Sequence, residues 1–215
     1  VYMISAIKFT VAPLSLAFFA YLSFTQKGVL TYSAFLYAYA MIPLIEFFLI
    51  NDERNFSEFE ESLAKKNIAY DLILYTSVGL HLVLLCVFLF SLQDASLQIY
   101  EVVGRVLSMG LVTTFAINLA HELGHRQSWG EQFLSKLMLL TTLMMHFFIE
   151  HNRGHHKNVA TFEDPSTARK GETVYAFWFR AILNEYLSAW QLEKKRLEVT
   201  KQSNFSLHNE MIQFQ

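Results

Sequence analysis

Six of the eight histidines lie between positions 121 and 156, five of them in two boxes whose spacing suits metal chemistry. The first box is His121-Glu122-Leu123-Gly124-His125. Residues four apart share one helical face, so both imidazoles can reach a single ion. The second is Glu150-His151-Asn152-Arg153-Gly154-His155-His156, with two histidines again four apart and a third adjacent. The first box alone is ambiguous, because H-E-x-x-H is also the zinc-metalloprotease signature, with the glutamate as general base. Five imidazoles exceed what a zinc protease needs, and neutral imidazole is also a good ligand for ferrous iron. One ion would be oversupplied by five. Two ions would be undersupplied, since a metal pair with open positions for oxygen needs about four protein ligands per ion. Downstream only His208 remains.

Neighbouring side chains divide by role. Asn118, one turn before His121, and Glu122 and Glu150, beside ligands, are candidates to orient the imidazoles through hydrogen bonds. Helix carboxylates facing water are an equal alternative for the two glutamates. Glu163 and Asp164 could accept hydrogen bonds from ligand imidazoles, but an Asp before Pro165 is also an ordinary turn former, and we favour the turn. His81 and His146 sit in apolar runs and read as packed core histidines. The single cysteine, Cys86, also lies in an apolar run and reads as a small packed hydrophobe.

The elements that must position these boxes are apolar. Hydrophobic residues make up 53% of the 215 positions and charged residues 17%, against about a quarter charged in an average soluble domain. A net charge of -2 provides no polycationic face, which excludes a nucleic-acid-binding basic domain. A bilayer core needs about 20 mostly apolar residues in a helix. Four stretches meet that requirement: 9–26, 28–50, 72–93 and 102–120, the last with Arg105 near one end, where a long side chain can reach the interface. The expected fold is all-α, an integral membrane helix bundle of four transmembrane helices over residues 1–120. Residues 121–215 then form a helical histidine-box region.

Between the boxes, the apolar run 137–149 is too short to span and reads as re-entrant or interfacial. A spanning run would put the boxes on opposite faces, about 30 Å apart. Lys and Arg in the 51–66 loop and after His151 place both termini and the boxes on the cytoplasmic side. Residues 172–198 show helical spacing, with Tyr175, Phe179, Ile182, Tyr186 and Trp190 three or four apart, and read as an amphipathic helix against the membrane or the bundle. Lys194, Lys195 and Arg196 suit either an acidic electron donor or a solvated positive-inside flank.

At these motifs the chain resembles the membrane-bound alkane 1-monooxygenases of the fatty acid desaturase/hydroxylase superfamily. The resemblance rests on the two boxes, on residues 159–169 with Glu163-Asp164-Pro165-Ser166, and on Gly171-Glu172-Thr173. It extends to Ser188-Ala189-Trp190-Gln191-Leu192-Glu193 and Asn209-Glu210. It implies a six-helix bundle in a bacterial cytoplasmic (inner) membrane, carrying a cytoplasm-facing centre of two iron ions. It also implies O2 as co-substrate, electrons from rubredoxin and rubredoxin reductase, and hydroxylation of the terminal methyl of medium- or long-chain alkanes to 1-alkanols. Carried over by position, His121, His125, His151, His155 and His156 would be iron ligands. The family has a third box, His-x-x-His-His, beyond two further spans. The chain begins at Val1 and stops at Gln215 before any such box, so we expect a fragment of a longer protein, inactive alone. A desaturase, a xylene-type or a carotenoid hydroxylase would carry similar ligands. A site-2-type intramembrane zinc protease would need an Asp-Gly segment, and the chain has no Asp-Gly pair.

Overall fold

The computed structural model describes residue 6 and residues 8–49, 57–58 and 67–214. The 51–66 loop used above for sidedness falls largely outside the described residues. Among them every regular element is helical. The chain divides into two units, Val1–Leu119 and Ala120–Gln215.

The first unit holds the helices that suit a bilayer. Helix α1 spans Lys8–Thr25, α2 Gly28–Phe48, α3 Ile68–Ser91 and α4 Ile99–Gly124, and all four are long and apolar enough to cross a membrane. The chain is accordingly an integral membrane protein. Little of these helices is buried: Phe18, Phe47, Phe48, Val83 and Phe90 point outward. Apolar outward faces are what hydrocarbon requires, since helices satisfy their backbone internally there.

The inward contacts use small residues. Ala20 and Ala34 are fully buried beside Phe24, Leu84, Met109 and Val112, which lets helix backbones approach closely. Ser23 is also buried. It donates to the Phe19 carbonyl and accepts from the Ala34 N–H, each at 3.0 Å, joining α1 to α2.

The turns at the Ile99 end of α4 are tied by polar groups. Gly28 has φ +65, a conformation that favours glycine, and its N–H donates to buried Glu101. Glu101 also accepts from the Gln98 N–H at 2.8 Å. Arg105 corrects the sequence expectation. Its side chain does not reach outward but is buried, donating to the carbonyls of Ser91 at 2.6 Å and Gln26 at 3.1 Å. Those carbonyls end helices α3 and α1 and have no intrahelical partner, which explains the inward turn.

The second unit begins inside α4, at Ala120. Helix α5 is Trp129–Thr141. It ends in a Schellman motif: Leu143 takes φ 57, its N–H reaches the Leu140 carbonyl at 3.1 Å, and the Met144 N–H reaches Leu139 at 2.9 Å. The apolar run 137–149 is therefore divided between two helices. Helix α6 opens as His146–Glu150, passes through a π-helical turn at His151–His155, and ends in His156–Asn158. Helix α7, Val174–Val199, is capped by Thr173, and Asn209 caps the short α8, Glu210–Gln213. Ile149, Ala189 and Met211 form the core between α6, α7 and α8, with Tyr186, Trp190, Leu192 and Phe214 packed against them. The predicted stripe on α7 thus splits. Tyr186 and Trp190 pack inward, whereas Tyr175, Phe179 and Ile182 are exposed.

Candidate metal centre

His121 lies in the last turn of helix α4 and His125 follows its last residue, Gly124. Ser135 of α5 donates to the Ala120 carbonyl at 2.6 Å and anchors that end. Gly124 leaves room for this approach, since a Cβ there would lie 3.1 Å from Ser135 Oγ.

The second box is shaped by its π turn. The His156 N–H reaches back to the His151 carbonyl, five residues earlier. In a regular α-helix, positions five apart diverge by about 140° around the axis. The wider turn instead brings His156 onto the side of His151. Phe147 stacks on the His151 ring at 4.7 Å between centroids, 13° from parallel, and so holds its plane.

Four imidazoles converge. His121 Nε2 lies 3.0 Å from His125 Nε2, His125 Nε2 lies 3.3 Å from His151 Nε2, and His151 Nε2 lies 3.0 Å from His156 Nε2. One ligand atom from each ring falls within 4.8 Å of all the others. A ring nitrogen carries either a hydrogen or a lone pair. His125 and His151 each face two other Nε2 atoms, so one hydrogen or one lone pair there must serve two neighbours. A metal ion uses every lone pair at once. With metal–nitrogen bonds of about 2.1 Å, adjacent ligands lie about 3.0 to 3.4 Å apart, which the observed separations match. The donor set fits a metal ion.

Electrostatics favours a neutral ring at His151. Burial first, and then the surrounding imidazoles of His121, His156, His125 and His155, push the His151 pKa down to about 3.

His155, the fifth predicted ligand, stands outside this group of four. Its Nδ1 donates to Asp164 Oδ2 at 3.0 Å. Asp164 is buried and also accepts from the Ser166 N–H at 2.9 Å and from the Thr167 hydroxyl. It is a turn former, as read from the sequence, and an imidazole partner as well. Burial alone would raise its pKa, but the Thr167, Ser166 and His155 hydrogen bonds outweigh it and hold the carboxyl below its ordinary value. A carboxylate on one ring nitrogen is the usual device for fixing the tautomer of a metal-binding histidine. Both roles are open in the sequence, where the Asp-Pro signal favours the turn.

The other candidates fare differently. Glu150 does not face water. It is buried, 3.4 Å from Ser188 Oγ, and burial, aided by Glu185 and Asp164, pushes its pKa up to about 7. Gly154 makes room for it, because a Cβ there would collide with Glu150 Oε1. Glu122 is exposed and pairs with Arg126 at 3.4 Å. Asn118 is exposed on α4. His146 is buried edge-on to Tyr186, away from the four rings.

Residues 100–212, just over half of the chain, match the family described as fatty acid desaturase. The chain belongs to that family. Its relatives are more specific. It is 36% identical over 175 residues to alkane 1-monooxygenase 1 of Alcanivorax borkumensis, covering 81% of this chain and 43% of that protein. It is 37% identical over 175 residues to an alkane 1-monooxygenase of Pseudomonas putida, covering 81% and 44%. More distantly, it is 26% identical over 148 residues to the Pseudomonas putida xylene/toluene monooxygenase hydroxylase component XylM, covering 67% and 40%. The chain thus spans less than half the length of each of these three relatives.

Proposed function

We propose that the boxes hold part of a non-haem di-iron centre in a membrane monooxygenase that converts medium- or long-chain alkanes to 1-alkanols. The observation that carries this reading is the convergence of four Nε2 atoms from two separate boxes, in a chain whose relatives are named alkane 1-monooxygenases. His121, His125, His151 and His156 would ligate directly, and His155 would join them with Asp164 fixing its tautomer. Further ligands come from beyond the residues present here. The reaction joins one oxygen atom of O2 to the terminal carbon and reduces the other to water, using two electrons and two protons. The electrons come from rubredoxin and its reductase.

A terminal methyl offers no polar handle, so the substrate must be delivered by apolar surface while the metal pair supplies the O2 chemistry. The chain's own residues prepare that site. Burial keeps His151 neutral and its lone pair free, Phe147 fixes the ring plane, and α4 runs from apolar surroundings directly into the first box. We place the boxes on the cytoplasmic side of a bacterial inner membrane, because nine Lys and Arg residues follow His151.

The test uses the natural full-length protein, purified with iron and supplied with rubredoxin, reductase, NADH and either octane or hexadecane under labelled O2. The expected product is a 1-alkanol carrying the label. Absence of alkanol, oxidation of toluene or xylene in place of alkane, or one bound zinc and no iron refutes the proposal.

A further inference from the structure

Two motifs noted in the sequence, the Glu193 end of 188–193 and Asn209-Glu210, meet at one buried carboxylate away from the imidazoles. Glu193 of α7 is fully buried. It accepts from Arg153 Nη1 at 3.0 Å, from Arg196 Nε at 2.9 Å and Nη2 at 2.6 Å, and from the Glu210 backbone N–H at 2.8 Å. Arg153 completes its fork on Glu210, with Nη2 2.7 Å from Oε2. Lys136 of α5 lies 3.8 Å from the other Glu210 oxygen. Asn209 fixes the start of α8 by accepting from the Met211 N–H at 2.9 Å.

A buried carboxylate is costly unless its lone pairs are filled, and here they are. Stability alone is a weak reason for such a network, since apolar residues of similar volume serve as well. Its location supplies a better one. Arg153 stands in the middle of the π turn of the second box. Single π turns inside α-helices are rare and occur frequently at functional sites. If this segment relaxed to a regular α-helix, His156 would swing away from His151.

We propose that Glu193, acting through Arg153, clamps the second box in its π turn and thereby sets His151 and His156 on a common centre. Arg153 and Glu193 are positioning residues for the metal site. The inference rests on the metal reading above, but the state of the turn can be measured without metal.

The experiment uses the full-length protein, stripped of metal, as wild type, Glu193→Gln, Arg153→Met, the double variant and Arg153→Lys. The first readout is amide hydrogen exchange across 150–158 in the metal-free protein, expected to quicken there in Glu193→Gln while the rest of the second unit keeps its protection. The second is cobalt(II) titration followed by visible absorption. Affinity is expected to fall about 10- to 100-fold, the usual effect of removing a group that orients a ligand, with a shift in the ligand-field bands. The double variant should add little to either single one, because both remove the same contact. Arg153→Lys should restore part of the affinity, and it carries the test if Glu193→Gln does not fold. A wild-type cobalt spectrum and affinity in Glu193→Gln overturns the clamp, whether or not the variant is less stable. Wild-type protein that takes no cobalt overturns the metal reading and the ligand-positioning role with it, whereas unchanged exchange at 150–158 overturns the control of the turn alone.

Discussion

Asp164→Asn tests whether His155 belongs to the metal centre, because the substitution keeps the shape and changes one atom's chemistry. In the structure Oδ1 accepts from the Ser166 N–H at 2.9 Å, and an asparagine oxygen there retains that turn. On the other side an NH2 group replaces Oδ2 and faces His155 Nδ1, now 3.0 Å away. Two donors cannot share that contact. His155 must move its hydrogen from Nδ1 to Nε2, and an Nε2 that carries a hydrogen has no lone pair for a metal. The substitution removes the charge-assisted hydrogen bonds that Oδ2 accepts from His155 and from the Thr167 hydroxyl, and the one to His155 is worth about 1.5 to 3 kcal/mol. Measured effects of such orienting groups, about 10- to 100-fold in metal affinity, correspond to about 1.4 to 2.7 kcal/mol. The two estimates agree. The assay is iron or cobalt(II) titration of the full-length protein, with circular dichroism confirming an unchanged helix content. Wild-type affinity in a folded Asp164→Asn protein would refute the argument and leave Asp164 as a turn former only.

Gly154→Ala should cost about 1 to 3 kcal/mol by overpacking, since its Cβ would collide with Glu150 Oε1 and lie 3.0 Å from Leu192 Cδ1; thermal unfolding measures this, and metal content should fall with it. Gly104→Ala should destabilise the first unit by a similar amount, because its Cβ would press on Thr31 Oγ1 and lie 2.7 Å from the Tyr32 ring; metal titration of the folded fraction should be unaffected. Glu172 has its pKa held at about 2, chiefly by the Arg180 guanidinium and the Arg169 N–H. A depressed carboxylate stabilises fully above its ordinary value of 4.5 and loses that contribution as pH falls toward 2. Unfolding of the wild type should therefore steepen over that window, and Glu172→Gln should flatten it; parallel acid titrations of the two proteins would refute this.

How far the site was legible depends on which backbone carries each histidine. The four-residue rule pairs His121 with His125, and because α4 stays regular α-helix up to Gly124 the two Nε2 atoms lie 3.0 Å apart. The same rule pairs His151 with His155, yet the close nitrogen contact is between His151 and His156, at 3.0 Å. A π turn has no residue preference that a reader of sequence can use. The clamp proposed for it comes from a distance, with Arg153 bonded to residues 40 and 57 positions later. The spans were legible for the opposite reason: a continuous apolar requirement of the bilayer is written locally, residue after residue. Charges misled wherever a partner lay far along the chain. Arg105 reads as an interface residue until the Gln26 carbonyl, 79 positions earlier, is seen to need a donor. Glu150 reads equally as an imidazole-orienting group or a solvent carboxylate until Ser188 and the missing Cβ of Gly154 are placed around it. In each case the apparently exposed polar residue of the sequence answers a distant backbone or side-chain group that would otherwise be buried without a partner. A polar residue of the second box is therefore best read by asking which later segment supplies its counterpart, and here segments 164–167, 188–193 and 210 supply those of His155, Glu150 and Arg153.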